Sequence, residues 1–191
     1  MMTIAQVLKN SFFLVGLCLG SLLSADELVE NVEMCSSCHG AEMLNEDPLV
    51  PGIAGQHYYY IYSQLKDYKA ERRAHEIMSS MAADLDKKMM KSLAAHYSEQ
   101  EWNCAPVGAS EYDENLAQQT LTSGQCTQCH GANFIATSGN PRLACQKQTY
   151  LFETMLAFKN KTRKNAPAKM SLFRDISDEA IEAVSHYLAQ R

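Results

Sequence analysis

An all-α chain built from two tandem copies of one small unit is the architecture this sequence predicts. Three observations carry the expectation. The hexapeptide Cys35-Ser36-Ser37-Cys38-His39-Gly40 returns as Cys126-Thr127-Gln128-Cys129-His130-Gly131, 91 positions later. Residues downstream of it return as well: Pro51 and Pro141, Gln56 and Gln146, Tyr60 and Tyr150, Leu65 and Met155, Tyr68 and Phe158, and His96-Tyr97 and His186-Tyr187 are each 90 apart. Met78 and Met170 are 92 apart, a drift that small loop insertions produce. Finally, apolar residues recur at helical spacing, and no strand-rich run is visible. The repeat places one domain at about 26–104 and a second at 110–191. The segment 105–109 joins them, with the Pro106 and Gly108 expected of a linker.

Each element follows from local pattern. A short helix precedes each hexapeptide: roughly Asp26–Val32, with Leu28 and Val32 on one face, and roughly Glu111–Leu121, where Ser110 and Asp113 suggest a capping box. A proline-bearing loop comes after the hexapeptide. Central helices are expected at about His57–Lys69 and Lys147–Lys159, with Tyr58, Ile61, Tyr62 and Leu65 apolar in the first and Tyr150, Leu151, Met155 and Phe158 in the second. A polar loop then carries Met78 or Met170. Closing helices are expected at about Asp86–Ser98 and Asp178–Gln190, the latter N-capped by Ser177.

The 191 residues suffice for one ordinary domain or two small ones. Domains of under about ninety residues bury little surface, so a covalent or metal staple is expected. Residues 1–25 read as a signal peptide: Lys9 is their only charge, residues 11–23 are apolar, and Ser24-Ala25 offers a cleavage site before Asp26. The apolar run is shorter than the roughly 20 residues of a spanning helix. The whole chain carries a formal charge of −5, and loss of Lys9 leaves 16 basic against 22 acidic side chains, or −6. Nucleic-acid binding, which needs a basic stripe, is not expected. An acidic chain implies basic docking patches on any protein partner.

C-x-x-C-H is the attachment signature of c-type haem. Two thiols one turn apart form thioethers to the porphyrin vinyl groups, and the histidine beside them binds iron from below. Cys35, Cys38, Cys126 and Cys129 are therefore the expected cofactor-binding residues, and His39 and His130 the expected iron ligands. Paired C-x-x-C zinc sites usually sit about 15–20 residues apart, and a thioredoxin-like redox motif needs a βαβ context. Neither describes this chain.

Beyond the hexapeptides, the run Pro51-Gly-Ile-Ala-Gly-Gln56, its echo Pro141-Arg-Leu-Ala-Cys-Gln146, the stretch Gln64-Leu65…Tyr68, the run Met78–Leu85 and the closing Ala-His-Tyr resemble the dihaem cytochrome c4 family. The resemblance spans nearly the whole mature chain. It departs from the family at Cys145, where glycine is usual, and in a second methionine loop one residue shorter than the first. It implies two class I cytochrome c domains, each a small helical fold wrapped around one haem c. A methionine is then the sixth ligand. Met170 is the choice in the second domain, because Met155 lies in a helix. His75, Met78, Met81, Met89 and Met90 are candidates in the first, and Met78 is assigned because it pairs with Met170. The family further implies that the Pro51 and Pro141 carbonyls accept hydrogen bonds from the proximal histidines. Gln56, Arg142 and Gln146 sit either near haem edges or in solvent. Tyr97 and Tyr187 pack the last helix on the first.

With both axial positions filled, an electron carrier is expected, not an enzyme. The resemblance implies a periplasmic respiratory role, between a quinol–cytochrome c reductase-type donor and a terminal oxidase or reductase, with docking on membrane complexes. No small-molecule substrate at iron is expected. A fixed subunit of a larger oxidoreductase and a dihaem peroxidase-like enzyme are the alternatives. Cys104 and Cys145 are left as an even pair in an oxidising compartment, where a disulfide between them is one outcome and two separate thiols the other.

Overall fold

The computed structural model describes residues 26–40, 46–104, 111–137 and 139–191. The expected signal peptide (1–25), the linker (105–109) and Ser110 lie outside them. Every regular element among the described residues is helical. They group into two compact units, Met1–Ser37 and Cys38–Arg191. The described part of the first, residues 26–37, is helical throughout, and helical backbone continues to 39; this helix, over 26–39, is α1. It is longer than the sequence pattern suggests, because the first hexapeptide is itself helical.

The second unit holds α2 (Tyr58–Lys69), α3 (Glu76–Ala83), α4 (Lys87–Ser98), α5 (Glu114–Ser123), α6 (Cys126–His130), α7 (Gln148–Lys159), α8 (Pro167–Phe173) and α9 (Asp178–Ala189). The order α2–α3–α4 returns as α7–α8–α9. In the first copy α2 packs against α3 and α4. In the second, α7 packs against α8 and α9, and α5 packs on α9. The methionine segments expected as loops are thus the short helices α3 and α8.

Polar side chains set the helix starts. Asp86 Oδ1 accepts from the Met89 amide at 2.6 Å, Asp113 Oδ1 from Leu116 at 2.9 Å, and the Ser177 hydroxyl from Ala180 at 3.2 Å. Ser177 caps as expected. The cap of α5 is Asp113, so that helix starts later than Glu111. Each cap satisfies an amide that would otherwise lack a partner at the helix end. Both hexapeptides end in a left-handed glycine, Gly40 at φ 71° and Gly131 at φ 75°. This conformation favours glycine and terminates the helix just past the histidine.

The core tracks the helical stripes. Ile61, Tyr68, Leu85, Met89, Met90, Leu93 and Tyr97 are buried in the first copy, and Leu121, Leu151, Met155, Phe158, Ile181, Val184 and Leu188 in the second. Met89, Met90 and Met155 fill core positions, the usual use of this side chain. Tyr187 packs on the core cluster that α5 and α9 share, and its ring also meets Phe134 edge-on at 6.0 Å, while His186 stacks on Tyr112 at 5.8 Å.

Gly55 and Cys145 occupy equivalent places, at φ 70° and 62°. A Cβ on Gly55 would lie 2.4 Å from the Trp102 backbone nitrogen. Cys145 instead bonds to Cys104, with a Cα separation of 5.1 Å that lies within the range of ordinary disulfides. The bond closes a loop of 41 positions, worth roughly 3–4 kcal/mol in a chain-entropy model. Alkylation of the denatured, unreduced protein should therefore leave Cys104 and Cys145 unlabelled, with both labelled after reduction. Ile181 has no exposed surface. Ile181→Ala should cost about 2–5 kcal/mol, read as a lower denaturation midpoint at unchanged slope.

Candidate functional site

Within the second unit the two copies meet along a seam of hydrogen bonds, and each proline loop after a hexapeptide takes part in it. His39 is buried, and its Nδ1 lies 2.8 Å from the Pro51 carbonyl oxygen. His130 Nδ1 lies 3.2 Å from the Pro141 carbonyl oxygen. A carbonyl can only accept, so each Nδ1 carries the hydrogen, and Nε2 is left as the nitrogen with a lone pair. Burial lowers the His39 pKa further than the Pro51 bond raises it, and Lys147 adds to the lowering. Burial and then Lys169 bring His130 down to about 4 against the Pro141 bond. Both rings are held neutral, the form in which imidazole binds a metal.

The thiols sit on helical turns. Cys126 and Cys129 are three apart on α6, with free thiols, half-buried and exposed respectively. Cys35 is half-buried and Cys38 exposed on α1. Burial raises the Cys126 pKa. Met78 lies on α3 and Met170 on α8, both half-buried. His75 is the N-cap of α3, its Nδ1 accepting from the Met78 amide at 3.3 Å.

Gln56 and Gln146 are each 3% exposed, which removes the solvent reading. Each reaches into the other copy. Gln146 Oε1 accepts from the Gly52 amide at 3.1 Å, and its Nε2 donates to the Gly52 carbonyl at 2.9 Å. Gln56 Oε1 accepts from the Arg142 amide at 2.9 Å, and its Nε2 donates to the Arg142 carbonyl at 3.1 Å. The two clamps are equivalent under the repeat, since Gly52 and Arg142 directly succeed the two prolines.

A second set of bonds between the copies runs from the segments that follow α2 and α7 to the opposite helix. Arg73 and Arg163 are 9% and 7% exposed. Arg73 donates to Gln64 Oε1 and to the Tyr150 hydroxyl, both at 2.9 Å. Arg163 donates to Gln64 Oε1 at 3.0 Å, to Asn165 Oδ1 at 3.1 Å and to the Tyr60 hydroxyl at 3.4 Å. Arg73 also lies over the Tyr68 ring at 4.7 Å, and Arg163 over Phe158 at 4.5 Å. Burial alone would raise the Tyr150 phenol, but Arg73 and Arg163 outweigh it and bring it down to about 7. Burial likewise holds Lys169 at about 8, with Arg163 adding to the effect. Sequence reasoning misses this arginine pair, although Arg73 and Arg163 share the 90-position offset that identifies the tyrosines.

No protein-family model matches the chain. It is 34% identical to cytochrome c4 of Thiocapsa roseopersicina over 167 residues, covering 81% of this chain and 85% of that protein. It is 30% identical to the thiosulfate dehydrogenase electron acceptor of Stutzerimonas stutzeri, over 81% of this chain and 77% of that one. The solved cytochrome c4 of Acidithiobacillus ferrooxidans superposes at a TM-score of 0.74 and 27% identity, over 82% of this chain and 98% of that one. Fold and relatives together define an electron-transfer cytochrome made of two class I cytochrome c domains. More narrowly, the chain belongs to the cytochrome c4 family. Members of that family carry two covalently bound haem c groups.

The residues present fit such groups. Haem brings two carboxylates into a protein interior, and these need cations. Here two buried guanidiniums spend their hydrogen bonds on amide and phenol oxygens, and the buried Arg142 Nε has no hydrogen-bond partner among the described residues. Buried charge held only by neutral groups is costly, and an anion would relieve it.

Neutral, buried imidazoles carry a pH signature. His130 titrates at about 4 in the fold against 6.5 ordinarily, and His39 is shifted the same way. The folded state therefore resists protonation while the unfolded chain accepts it. The stabilisation should be complete above pH 6.5 and fall as pH drops from 6.5 towards 4. Urea midpoints of the haem-free chain, whose Nε2 atoms are open to protons, would record the loss across that window.

Proposed function

We propose that this chain is a periplasmic dihaem electron carrier of a respiratory chain. The observation that carries the reading is the paired geometry at His39 and His130. Each is tied through Nδ1 to a proline carbonyl and keeps Nε2 for iron. In this reading Cys35 and Cys38 attach one haem and Cys126 and Cys129 the other. His39 and His130 are the proximal ligands, Met78 and Met170 the distal ones. A thioether opposite imidazole favours ferrous iron and raises the potential. The domains run from about 26 to 104 and from 110 to 191, after a signal peptide of 25 residues and across a linker at 105–109. Among the described residues no helix is long and apolar enough to cross a membrane.

The donor is of the quinol–cytochrome c reductase type, and the acceptor is a terminal oxidase or reductase. The net negative chain suits basic docking surfaces on both. A second reading, a fixed acceptor subunit of a larger oxidoreductase, is favoured by the similarity to a thiosulfate dehydrogenase electron acceptor. Recovery of the native protein as a free monomer that is reduced by membranes supplied with quinol would support the first reading. Co-purification with a dehydrogenase would support the second.

The intact mass should exceed that of the mature polypeptide by two haems. Met170→Ala and Met78→Ala should each abolish the methionine–iron absorption band of one haem and leave the other. Retention of both bands in the Met78 variant, with loss of one on Met81→Ala, would overturn that ligand assignment.

A further inference from the structure

The Pro51 carbonyl and the Gly52 amide are two ends of one peptide group. The carbonyl accepts from His39 Nδ1 at 2.8 Å, and the amide donates to Gln146 Oε1 at 3.1 Å. The same holds in the other copy. The Pro141 carbonyl accepts from His130 Nδ1 at 3.2 Å, and the Arg142 amide of that peptide donates to Gln56 Oε1 at 2.9 Å. Each histidine is thus the head of a hydrogen-bond chain that crosses one peptide and ends on a glutamine of the opposite copy. We propose that Gln56 and Gln146 are positioning residues that tune the proximal histidine of the other domain, so that each haem's potential is set partly from across the seam. The inference rests on the haem assignment above.

The physical chain is short. An acceptor on the peptide N–H draws charge towards the peptide oxygen, because hydrogen bonds in series polarise one another, more so in a low-dielectric interior. A more negative Pro51 oxygen strengthens the bond from His39 Nδ1 and raises the basicity of the ring at Nε2. A more basic ligand favours the ferric state and lowers the potential. Loss of the glutamine acceptor acts in reverse. The geometry is already built: both glutamines are 3% exposed, and each is fixed by a second bond from its Nε2 to the carbonyl of the same Gly52 or Arg142. Their Oε1 atoms also accept the amides of His57 and Lys147, both at 3.0 Å, which orients each carboxamide.

A merely structural role predicts a different outcome, and this separates the two. Gln146 lies five positions past Pro141, so loosening its loop should disturb the haem of its own domain, on His130. Tuning across the seam should instead disturb the haem on His39. The experiment uses the full holoprotein. Wild type is first characterised for two haems with His39 and His130 ligated; failure there removes the haem assignment itself. The two potentials are then followed separately, through the haem methyl signals in NMR spectra during stepwise reduction.

Gln146→Met should raise the midpoint potential of the haem on His39 and leave that on His130 the smaller shift. Gln56→Met should do the opposite. Gln146→Glu, which keeps an acceptor oxygen in place, should leave the His39 haem at or below its wild-type potential, and it serves as the reading if the methionine variant does not fold. His57→Ala removes another bond across the seam, from His57 Nε2 to the Ile135 carbonyl at 2.8 Å, and should move neither potential. Larger shifts in the substituted domain, equal shifts in both, no shift at all, or a raised potential in Gln146→Glu would each overturn the proposal.

Discussion

The bond from a histidine ring to a proline carbonyl is the constraint on which the rest of this molecule is arranged. It fixes which imidazole nitrogen bears the hydrogen, and so which one keeps its lone pair for a metal. Everything nearby serves it. A glycine at φ above 70° stops the helix behind each histidine. The proline loop is held in turn by a glutamine from the other copy. Proline suits this place because it offers a carbonyl and a rigid backbone but no amide to satisfy.

The two copies of the unit are not merely joined end to end. Their glutamine clamps and their arginine–tyrosine contacts are exchanged, each copy completing the other. Repeat mates therefore meet repeat mates along the seam: Tyr150 with Arg73, and Tyr60 with Arg163. Burying two guanidiniums there is unfavourable by itself, since desolvating a charge costs several kcal/mol unless it is well paired. The arrangement makes sense in a protein whose prosthetic groups are themselves acidic. It also leaves Tyr150 poised at about 7, its burial offset by two cations.

Much of this is legible in the sequence, for a simple reason. A 90-position repeat reports equivalent positions, and helical periodicity reports which of them are buried. The central and closing helices fall within a residue or two of their expected places, and Ser177 is recognisable as a cap because capping is local chemistry. Contacts between copies are not legible. Gln56 and Gln146 read equally well as solvent-facing, because a polar residue in a loop gives no sign of whether its partner is water or another loop. Arg73 and Arg163 look like ordinary surface charges, although their spacing marks them. The α3 and α8 segments read as loops for a related reason: eight and seven residues leave too little periodicity to detect.

The Cys104–Cys145 bond makes part of this protein a ring. Residues 104 to 145 form a closed circuit, and the second hexapeptide and Pro141 both lie on it. Cut open and stretched, that segment would reach about 140 Å; closed, its ends cannot part even when the fold is lost. The ring restricts the unfolded ensemble of the whole segment that carries His130 and Pro141, whereas His39 and Pro51 lie outside it. The circuit also bears on maturation. Cys104 must pass over two thiols, Cys126 and Cys129, to reach its partner. Closing the ring on the wrong sulfur would consume a thiol of the second hexapeptide, so disulfide pairing and the proposed haem attachment draw on neighbouring atoms.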